Sequence, residues 1–431
     1  MPTVRFPYGK DYLEYNIPDS RYAGSLVSGM HSYLAPKSPE QLVLDAMAAP
    51  IGTPRLCAMA EGKKKVVIIA SDHTRPVPSR VIIPPMLEQI RQGNPDAEVT
   101  ILIATGCHRE TTREELESKF GPDIMKNERI VVHDCDDTAN LTSLGRLPSG
   151  GEFVINRLAA EADLLVAEGF IEPHFFAGFS GGRKSVLPGI AARRTVLYNH
   201  NAGFIASEHA RTGVVEGNPV HCDMLYAARA ARLAYIVNVV INSDKQAVYA
   251  VAGDVDLAHR AGREFLCSQC RVGARGADIV ISTNGGYPLD QNIYQSVKGM
   301  TAAEAAVKPG GVIIMVSKSS DGHGGRVFYE TFRNEKNLDR MMKRFVSTPP
   351  GETIVDQWQS QIFARVLMKA TVIYISDVAD DIVSDMHMLP CHSVGEAVAL
   401  ADRLLAERGV INGSILAIPD GVSVIVDDAN K

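Results

Sequence analysis

Short apolar runs alternate along the chain with stretches that have a helical pattern. Seven runs are rich in β-branched residues and almost continuously apolar: residues 66–71, 98–104, 130–133, 164–167, 278–283, 312–317 and 371–376. Such runs are typical of parallel strands that are buried on both faces of a sheet. Apolar positions at helical spacing predict helices between them, over residues 81–92, 112–119, 218–233, 257–265, 292–306 and 394–407. The alternation predicts an α/β protein with mostly parallel sheets.

Local signals refine this pattern at three places. A capping box at Thr111-Thr-Arg-Glu114 predicts where the helix over residues 112–119 begins. Two hairpins are also predicted. One has its turn at Tyr8-Gly9-Lys10, between strands at 4–6 and 12–15, and the other at Asn242-Ser-Asp-Lys245, between strands at 235–241 and 247–252.

The chain is long enough for two hydrophobic cores, with 431 residues of which 45% are hydrophobic. The short polar stretch at residues 267–276 is the predicted hinge. It separates an N-terminal α/β domain, residues 1–268, from a C-terminal one, residues 269–408. The tail, residues 409–431, is expected to pack back on the N-terminal domain.

Net charge and cysteine content indicate which kinds of partner and which compartment to expect. A formal net charge of −6 gives no electrostatic reason to expect a nucleic acid or an acidic membrane as partner. No apolar stretch approaches the roughly 20 residues of a membrane span, and the start lacks a signal-peptide core. Seven scattered cysteines indicate a reducing compartment. We therefore expect a cytoplasmic protein that acts on small molecules. The oligomeric state stays open, and the pair Cys267 and Cys270 favours a structural role over metal or redox chemistry.

Polar residues follow the ends of four predicted strands, where ligands bind in open α/β sheets. Asp72 and Arg75 follow the strand at 66–71, and His108 follows the strand at 98–104. The strand at 164–167 leads to His174 and Lys184. After the strand at 278–283 a helix begins with four polar residues on one face: Gln291, Tyr294, Gln295 and Lys298. One polar loop is an ordinary connection, but four loops at strand ends predict a shared crevice.

The turn Gly178–Ser185 offers exposed backbone N–H groups to an anion. It matches the phosphate-binding GxxxxGK[ST] pattern except that Arg183 replaces the second required glycine. A nucleoside triphosphatase is therefore disfavoured, and a more general anion site at Gly181 and Gly182 remains. Lys184 and the nearby histidines add a nucleophilic amine, an acid/base and a metal-ligating imidazole.

Seven motifs, in order along most of the chain, are shared with one family: Ser71-Asp-His-Thr-Arg-Pro76, Thr105-Gly-Cys-His108-Arg, Glu172-Pro-His174, Gly181-Gly-Arg-Lys184, Asn199-His200-Asn, Tyr294-Gln295 with Lys298, and Trp358. On these motifs the chain resembles the nickel-dependent lactate racemases, a family of 2-hydroxy-acid racemases and epimerases. The resemblance implies two α/β domains with the active site in the crevice between them.

The resemblance also implies a cofactor and its attachment. Lys184 would carry a covalently tethered nickel-pincer nucleotide, which is pyridinium-3,5-bisthiocarboxylic acid mononucleotide with bound nickel. His200 would be the protein's ligand to nickel, and Asp72, Gly181 and Gly182 would support the cofactor. The partners implied are a small 2-hydroxy acid and the proteins that synthesise this cofactor.

For the reaction, the resemblance implies that His108 and His174 are the acid/base pair on opposite sides of the substrate. Arg75 and Lys298 would hold the substrate carboxylate, while three further residues would complete its wall: Tyr294, Gln295 and Trp358. Direct removal of the α-proton would place a carbanion beside a carboxylate. Reversible transfer of the α-hydrogen as hydride to the cofactor avoids that anion, and two histidines near neutral pKa suit both directions of proton transfer.

The substrate class is the least determined feature. Phe175 and Phe176 favour the small substituent of lactate or another short 2-hydroxy acid. Arg183 would instead meet a cofactor phosphate or the second carboxylate of malate or 2-hydroxyglutarate, and sugar acids also remain open. A different class is a nucleotide-binding or sensory module without turnover. A zinc hydrolase is disfavoured because the chain has no HxH or HExxH pair.

Overall fold

Two six-stranded sheets organise the protein in the computed structural model, which describes residues 1–242 and 244–427. The N-terminal sheet contains, in spatial order, Ala247–Gly253, Leu233–Ile241, Leu164–Phe170, Lys65–Ser71, Glu98–Ala104 and Arg129–Val132. The C-terminal sheet contains Leu389–Cys391, Thr371–Ile375, Val307–Val316, Ala277–Thr283, Ile415–Ile418 and Tyr22–Ser25. Only the edge strand Ala247–Gly253 runs antiparallel to its neighbour. The predicted α/β class with mostly parallel sheets is confirmed.

The strands are buried on both faces, which explains their continuous apolar runs. In Lys65–Ser71 every residue from Val66 to Ala70 is buried. Val66 and Ile68 belong to one hydrophobic cluster, and Val67 and Ile69 to another on the opposite face. Helices cover both clusters, so the sheet lies between two layers.

The six predicted helices lie close to their expected positions, at Ser79–Gly93, Arg113–Phe120, Pro219–Ala230, Leu257–Cys270, Ile293–Ala306 and Val394–Ala406. The structure adds helices that were not predicted: Pro39–Ala48, Leu56–Ala60, Pro122–Asn127, Arg157–Ala160, Arg193–Asn199, Ala202–Ala206, Arg326–Asn334, Leu338–Ser347, Gln357–Lys369 and Asp380–Asp385. Short 3-10 turns occur at Gly29–His31, Thr138–Asn140, Gly182–Ser185 and Pro350–Glu352. Among the helices of the described residues, none is long and apolar enough to cross a membrane.

Two local predictions were shifted by a few residues. The capping box is formed by Thr112 and Glu115, because adjacent threonines and adjacent glutamates satisfy the same spacing. Thr111 bonds instead to Nδ1 of His73 at 3.0 Å. The helix predicted to end at residue 265 continues to Cys270, so the CxxC pair lies in its last turn. There the Sγ of Cys270 bonds to the Leu266 carbonyl at 2.9 Å.

Both predicted hairpins are present, with antiparallel strands Thr3–Tyr8 and Asp11–Asn16, and Leu233–Ile241 and Ala247–Gly253. Ser243, in the turn of the second, lies outside the described residues. Smaller pairings join Leu141–Arg146 to Glu152–Asn156, Pro173–His174 to Gly178–Phe179, and Arg271–Gly273 to Ile425–Asp427.

The sheets do not follow the expected division of the chain at residue 268. Strand Tyr22–Ser25 pairs with Ile415–Ile418 in the C-terminal sheet. The first hairpin packs on the same sheet, with Phe6 in a cluster with Ile281. The tail adds the interior strand Ile415–Ile418 to the C-terminal sheet. It also contacts the N-terminal range, because Oδ2 of Asp420 lies 3.3 Å from Nε2 of His31 and a Cβ at Gly213 would meet Ile425. The division was not predictable because these strands are far apart in the chain. A four-residue strand has no sequence pattern that indicates its partner. Residues 428–431 of the tail lie outside the described residues.

Candidate active site

A cavity of about 450 Å³ lies where the carboxyl ends of the N-terminal sheet face two helices of the C-terminal half, Ile293–Ala306 and Gln357–Lys369. It brings together eleven of the residues expected from the sequence: Asp72, Arg75, His108, His174, Gly181, Lys184, His200, Tyr294, Gln295, Lys298 and Trp358. The lining residues therefore come from parts of the chain that are up to 286 positions apart, from Asp72 to Trp358.

Gly182 was expected to belong to the site, but it does not line the cavity. Its N–H donates to Oδ1 of Asn238 at 2.8 Å, so this group is not available to an anion. A side chain at this position would meet the ring of His259 about 3.0 Å away. Gly182 is required for close packing beneath the site. Gly181, by contrast, lines the cavity with φ +77°, and a Cβ there would lie 2.7 Å from the Phe170 carbonyl oxygen.

His108 is oriented by a buried carboxylate. Its Nδ1 lies 2.7 Å from Oδ2 of Asp72, a residue only 1% exposed. Thr74 donates its hydroxyl to the other carboxylate oxygen at 2.7 Å. Burial alone would raise the pKa of Asp72, but the hydrogen bond and charge of His108 hold this pKa below its ordinary value. An ionised Asp72 accepts the proton of Nδ1, so the lone pair of Nε2 is left to act as a base.

The neutral ring of His174 carries its proton on the other nitrogen from that of His108. The N–H of Ala177 donates to its Nδ1 at 3.3 Å, which places the proton of the neutral ring on Nε2. Phe176 packs edge-on against the ring, with 4.6 Å between ring centroids. Burial, and then the charges of Lys184 and Lys298, lower the pKa of His174 well below its ordinary value. His174 is therefore a neutral donor at Nε2 in this state of the protein.

Lys184 lies in the 3-10 turn Gly182–Ser185, and its side chain is partly exposed at the cavity. Its Nζ forms no hydrogen bond or ion pair within the described ranges 1–242 and 244–427, and it lies 5.8 Å from the centroid of Phe176. Burial, and then the positive charge of Arg183, lower the pKa of Lys184 well below its ordinary value. A deprotonated amine is the nucleophilic form of lysine, so the site suits covalent attachment.

His200 has the geometry of a metal ligand. Its Nδ1–H donates to the Val196 carbonyl at 2.9 Å, which fixes the ring and leaves the Nε2 lone pair for a metal. Burial lowers its pKa to about 3, and the charge of Lys184 adds to this effect, so the imidazole is neutral. Trp358 from the C-terminal half packs edge-on against the ring at 5.0 Å.

A metal at His200 needs ligands beyond the protein groups near it. In the described part of the chain, one group of three residues has possible metal-ligand atoms that all lie within 4.8 Å of one another: Asp134, Cys135 and Asp136. None of these three lines the cavity, and Asp136 is already paired with Arg193 at 2.7 Å. One imidazole beside a free amine fits a cofactor that carries the metal with its own donors and is held by Lys184. It does not fit a zinc hydrolase site.

Arg75 and Lys298 supply positive charge at the cavity. Both also line an adjoining cavity of about 210 Å³, where Glu172 lies. Burial, and then the charge of Arg75, lower the pKa of Lys298 to about 8, while Glu172 opposes this shift. Two cations in a partly enclosed cavity suit a carboxylate ligand.

Helix Ile293–Ala306 places Lys298 and its neighbours at the cavity. Asn292 caps this helix by accepting the N–H of Gln295 at 2.9 Å. The hydroxyl of Tyr294 donates to Asp356 at 2.8 Å, and Gln359 donates to the Tyr294 carbonyl at 2.5 Å. Asp356 and Gln359 line the cavity but were missed in the sequence, since nothing local marks them.

Glu168 was also missed, although it carried a signal. It lines the cavity, is 2% exposed, and accepts the hydroxyl of Ser79 at 2.7 Å. The predicted strand ended at residue 167, but the observed strand continues to Phe170. A single acid inside an otherwise apolar strand is unusual, and this alone would have singled out Glu168.

The chain is similar to known proteins over almost its whole length. The model of the lactate racemase N-terminal domain matches residues 8–213, and that of the C-terminal domain matches residues 272–426. The chain is 53% identical over 427 residues to the lactate racemase of Thermoanaerobacterium thermosaccharolyticum, covering 99% of both proteins. It is 49% identical to the lactate racemase of Lactiplantibacillus plantarum, covering 99% of this chain and 100% of that protein.

The fold is shared as well. The structure of the lactate racemase apoprotein from T. thermosaccharolyticum superposes with a TM-score of 0.94 at 52% identity, over 99% of this chain and 100% of the other. Lactate racemases are isomerases. The chain therefore belongs to the lactate racemase family.

Proposed function

We propose that this chain interconverts the enantiomers of lactate with a nickel-pincer nucleotide tethered to Lys184. The observation that carries the proposal is the convergence of three kinds of group in one cavity. These are the amine of Lys184, which has no hydrogen-bond partner among the described residues, a neutral imidazole at His200, and two further histidines together with the cations Arg75 and Lys298. When bound, the cofactor supplies a pyridinium carbon that accepts the α-hydrogen as hydride and returns it.

The protein's own groups then have separate tasks. Arg75 and Lys298 bind the carboxylate and retain the planar keto acid. His108 takes the hydroxyl proton at Nε2, and the resulting imidazolium is stabilised by the carboxylate of Asp72 at 2.7 Å. His174 donates a hydrogen bond to the substrate oxygen from Nε2.

Racemisation requires the two histidines to exchange these tasks. The positive charges of Arg75 and Lys298 contribute to the low pKa of His174. A bound carboxylate offsets these charges, so it raises the pKa of His174. A second proton would bind at Nδ1, in place of the hydrogen bond from the Ala177 N–H, and the imidazolium can then give its Nε2 proton to the substrate oxygen. Substrate binding thereby makes both proton directions available.

The wall residues favour lactate within the wider class of 2-hydroxy acids. Phe175 and Phe176 are 8% and 3% exposed, and both line the cavity. Arg183 does not line it, so the second carboxylate of malate or 2-hydroxyglutarate would find no cation at that position. A methyl group suits the aromatic wall better than a charged substituent.

The test starts with protein made together with the cofactor-synthesis proteins. Intact mass and bound nickel are measured for the wild type, for Lys184→Ala, and for Lys308→Ala as a surface control. We expect a nucleotide-sized adduct and one nickel per chain in the wild type and control, and neither in Lys184→Ala. The loaded protein should racemise either enantiomer of lactate, followed by a chiral assay.

Three outcomes would contradict parts of the proposal. No adduct, while a related racemase is loaded in parallel, overturns the cofactor and favours a binding module. An adduct with turnover of malate but not lactate overturns the substrate. A loaded protein in which both His108→Ala and His174→Ala keep full turnover overturns the acid/base roles.

A further inference from the structure

Arg183 stands next to Lys184 but points away from the cavity that Lys184 lines. Its side chain is 0% exposed, and it contacts backbone carbonyls instead of an anion. One terminal nitrogen, Nη2, donates to the Ala177 carbonyl at 2.7 Å. The other, Nη1, donates to the Ser180 carbonyl at 3.4 Å and the Gly181 carbonyl at 3.3 Å. The expectation that Arg183 meets a phosphate or a substrate carboxylate is therefore corrected.

A cation in this position is unfavourable and calls for an explanation. Burial, and then the nearby charge of Arg263, lower the pKa of Arg183 to about 9, and its Nε has no hydrogen-bond partner in the described ranges. An apolar side chain would fill the same space without desolvating a charge. Each of the three carbonyls also has another donor: the N–H of Phe179 at Ala177, Nε2 of His259 at Ser180 and the N–H of Lys184 at Gly181. The planar fork of Arg183 is the group that joins all three, and an apolar side chain would remove this link.

The carbonyls that Arg183 binds belong to the segment that connects two site residues. Ala177 accepts from Arg183 through its carbonyl and donates to Nδ1 of His174 through its own N–H at 3.3 Å. At the other end, Gly181 lies directly before the turn that carries Lys184. His259 supports the same segment, with Nε2 2.7 Å from the Ser180 carbonyl oxygen. One guanidinium thus connects the backbone beneath His174 with the backbone beneath Lys184.

We propose that Arg183 is a positioning residue whose buried guanidinium fixes the backbone of His174 relative to that of Lys184. Two effects follow. The Ala177 N–H stays directed at Nδ1, which keeps the proton of His174 on Nε2. The positive charge beside Lys184 also favours its unprotonated amine, as the lowered pKa indicates. The proposal rests on the proposed function only in treating His174 and Lys184 as the groups that matter.

The test uses the full-length apoprotein, because neither readout needs the cofactor. Arg183→Met removes charge and hydrogen bonds, whereas Arg183→Lys keeps the charge but cannot serve three carbonyls. Arg263→Met is the matched control, because it removes a neighbouring buried cation that, within the described ranges, donates no hydrogen bond to these carbonyls. The charges that shift the pKa of Lys184 are those of Arg183, Arg75, Glu172 and Lys298. Reductive methylation of Lys184 is measured against pH by peptide mass spectrometry, and the tautomer of His174 by ¹⁵N NMR.

In Arg183→Met, we expect the methylation profile of Lys184 to move to higher pH, with about tenfold slower labelling at neutral pH for each unit of pKa. The Nε2–H tautomer of His174 should lose population in the same variant. Arg183→Lys should keep the methylation profile of the wild type but change the His174 spectrum, and its kcat after loading should fall. Arg263→Met should leave both readouts as in the wild type.

A wild-type methylation profile and His174 spectrum in a folded Arg183→Met protein would overturn the proposal. If that variant does not fold, Arg183→Lys decides, since a wild-type His174 spectrum and wild-type kcat there would equally overturn it. Both readouts are independent of turnover. A wild type that takes up cofactor but fails to racemise lactate would therefore reject the proposed function and leave the Arg183 result intact.

Discussion

Hydrogen bonds set the proton positions of the two site histidines. Asp72 holds the proton of His108 on Nδ1, while Ala177 directs the proton of His174 to Nε2. The two rings therefore differ in function although they have the same chemistry. The sequence predicted both residues, but it does not encode which ring nitrogen is free, because the partners are defined by the folded loops.

Replacing Asp72 by Asn tests the tautomer of His108. The amide would donate to Nδ1 and move the ring proton to Nε2, which then has no lone pair for the substrate. We expect kcat for lactate to fall on the order of 100-fold, the usual weight of a general base, while adduct mass and nickel content stay unchanged. Thr74→Val is the control, since it removes only the hydroxyl that donates to Asp72. An unchanged kcat in Asp72→Asn would reject this role.

The lowered pKa of Lys298 predicts an alkaline limit to substrate binding. With a pKa of about 8, this amine is cationic below pH 8 and loses its charge above it. Since the charged form binds the carboxylate, kcat/KM for lactate should decrease as the pH rises through about 8. Lys298→Arg keeps its charge, so the decrease should move to higher pH. The same alkaline limb in both proteins would show that another group is responsible.

At the scale of elements, strand ends and helix starts build the site. Three neighbouring parallel strands of the N-terminal sheet end at the loops of Asp72, His108 and His174. Helix Ile293–Ala306 supplies the other wall from the C-terminal half. These elements were predictable because the apolar pattern of each lies within one short stretch of the chain. The polar residues of the site come directly after that stretch. The one-residue shift of the capping box shows where local spacing is ambiguous.

The cap of helix Ile293–Ala306 is expected to support both stability and the site. Asn292→Ala removes the acceptor for the Gln295 N–H, which should cost about 1 kcal/mol of folding free energy. Asn292→Asp keeps an acceptor at the same place and serves as control. Urea unfolding measures the difference. A larger KM for lactate in the alanine variant would show that Lys298 and its neighbours depend on the cap, and equal stability of all three proteins would contradict the capping role.

At the scale of the whole molecule, the site is complete only where the two halves meet. Gln361 donates to the Ala202 carbonyl at 2.9 Å, and Trp358 packs on His200 at 5.0 Å. Both contacts join helix Gln357–Lys369 to the segment that holds the proposed metal ligand. The position of this helix therefore affects the surroundings of His200 directly.

Trp358 is the only tryptophan, so its fluorescence reports on His200 without a label. Loading with nickel and a pyridinium nucleotide should quench this emission, because the metal centre would lie next to the indole. The measurement compares emission of apoprotein and loaded protein in the wild type and in Lys184→Ala. Lys184→Ala, treated in the same way, should keep the emission of the apoprotein. Equal emission of the loaded and apo wild type would place the cofactor away from His200.

Only the tertiary structure decided which groups each functional residue meets. Arg183 looked like an anion ligand in the sequence, but it faces the core and binds three carbonyls. Gly182 looked like a phosphate contact, but its N–H is taken by Asn238. Strand Tyr22–Ser25 joined the sheet of the other half. For Gly182 and for this strand the decisive partner is distant in the chain, so spacing carries no information about it. The carbonyls that Arg183 binds are close in the chain, but the direction of its side chain is set by the packing of the core around it.

The fold class, the parallel strands whose ends form the site and eleven residues of the cavity were predictable from the sequence alone. They were predictable because burial on two faces of a sheet requires continuous apolar runs, and because the ends of parallel strands gather at one edge. The tertiary structure decided the tautomers of the two histidines and the lowered pKa values of Lys184 and Lys298. It also decided the position of Glu168 at the cavity and the contacts of Arg183. These depend on desolvation and on the direction of single hydrogen bonds, which arise only when distant segments pack together.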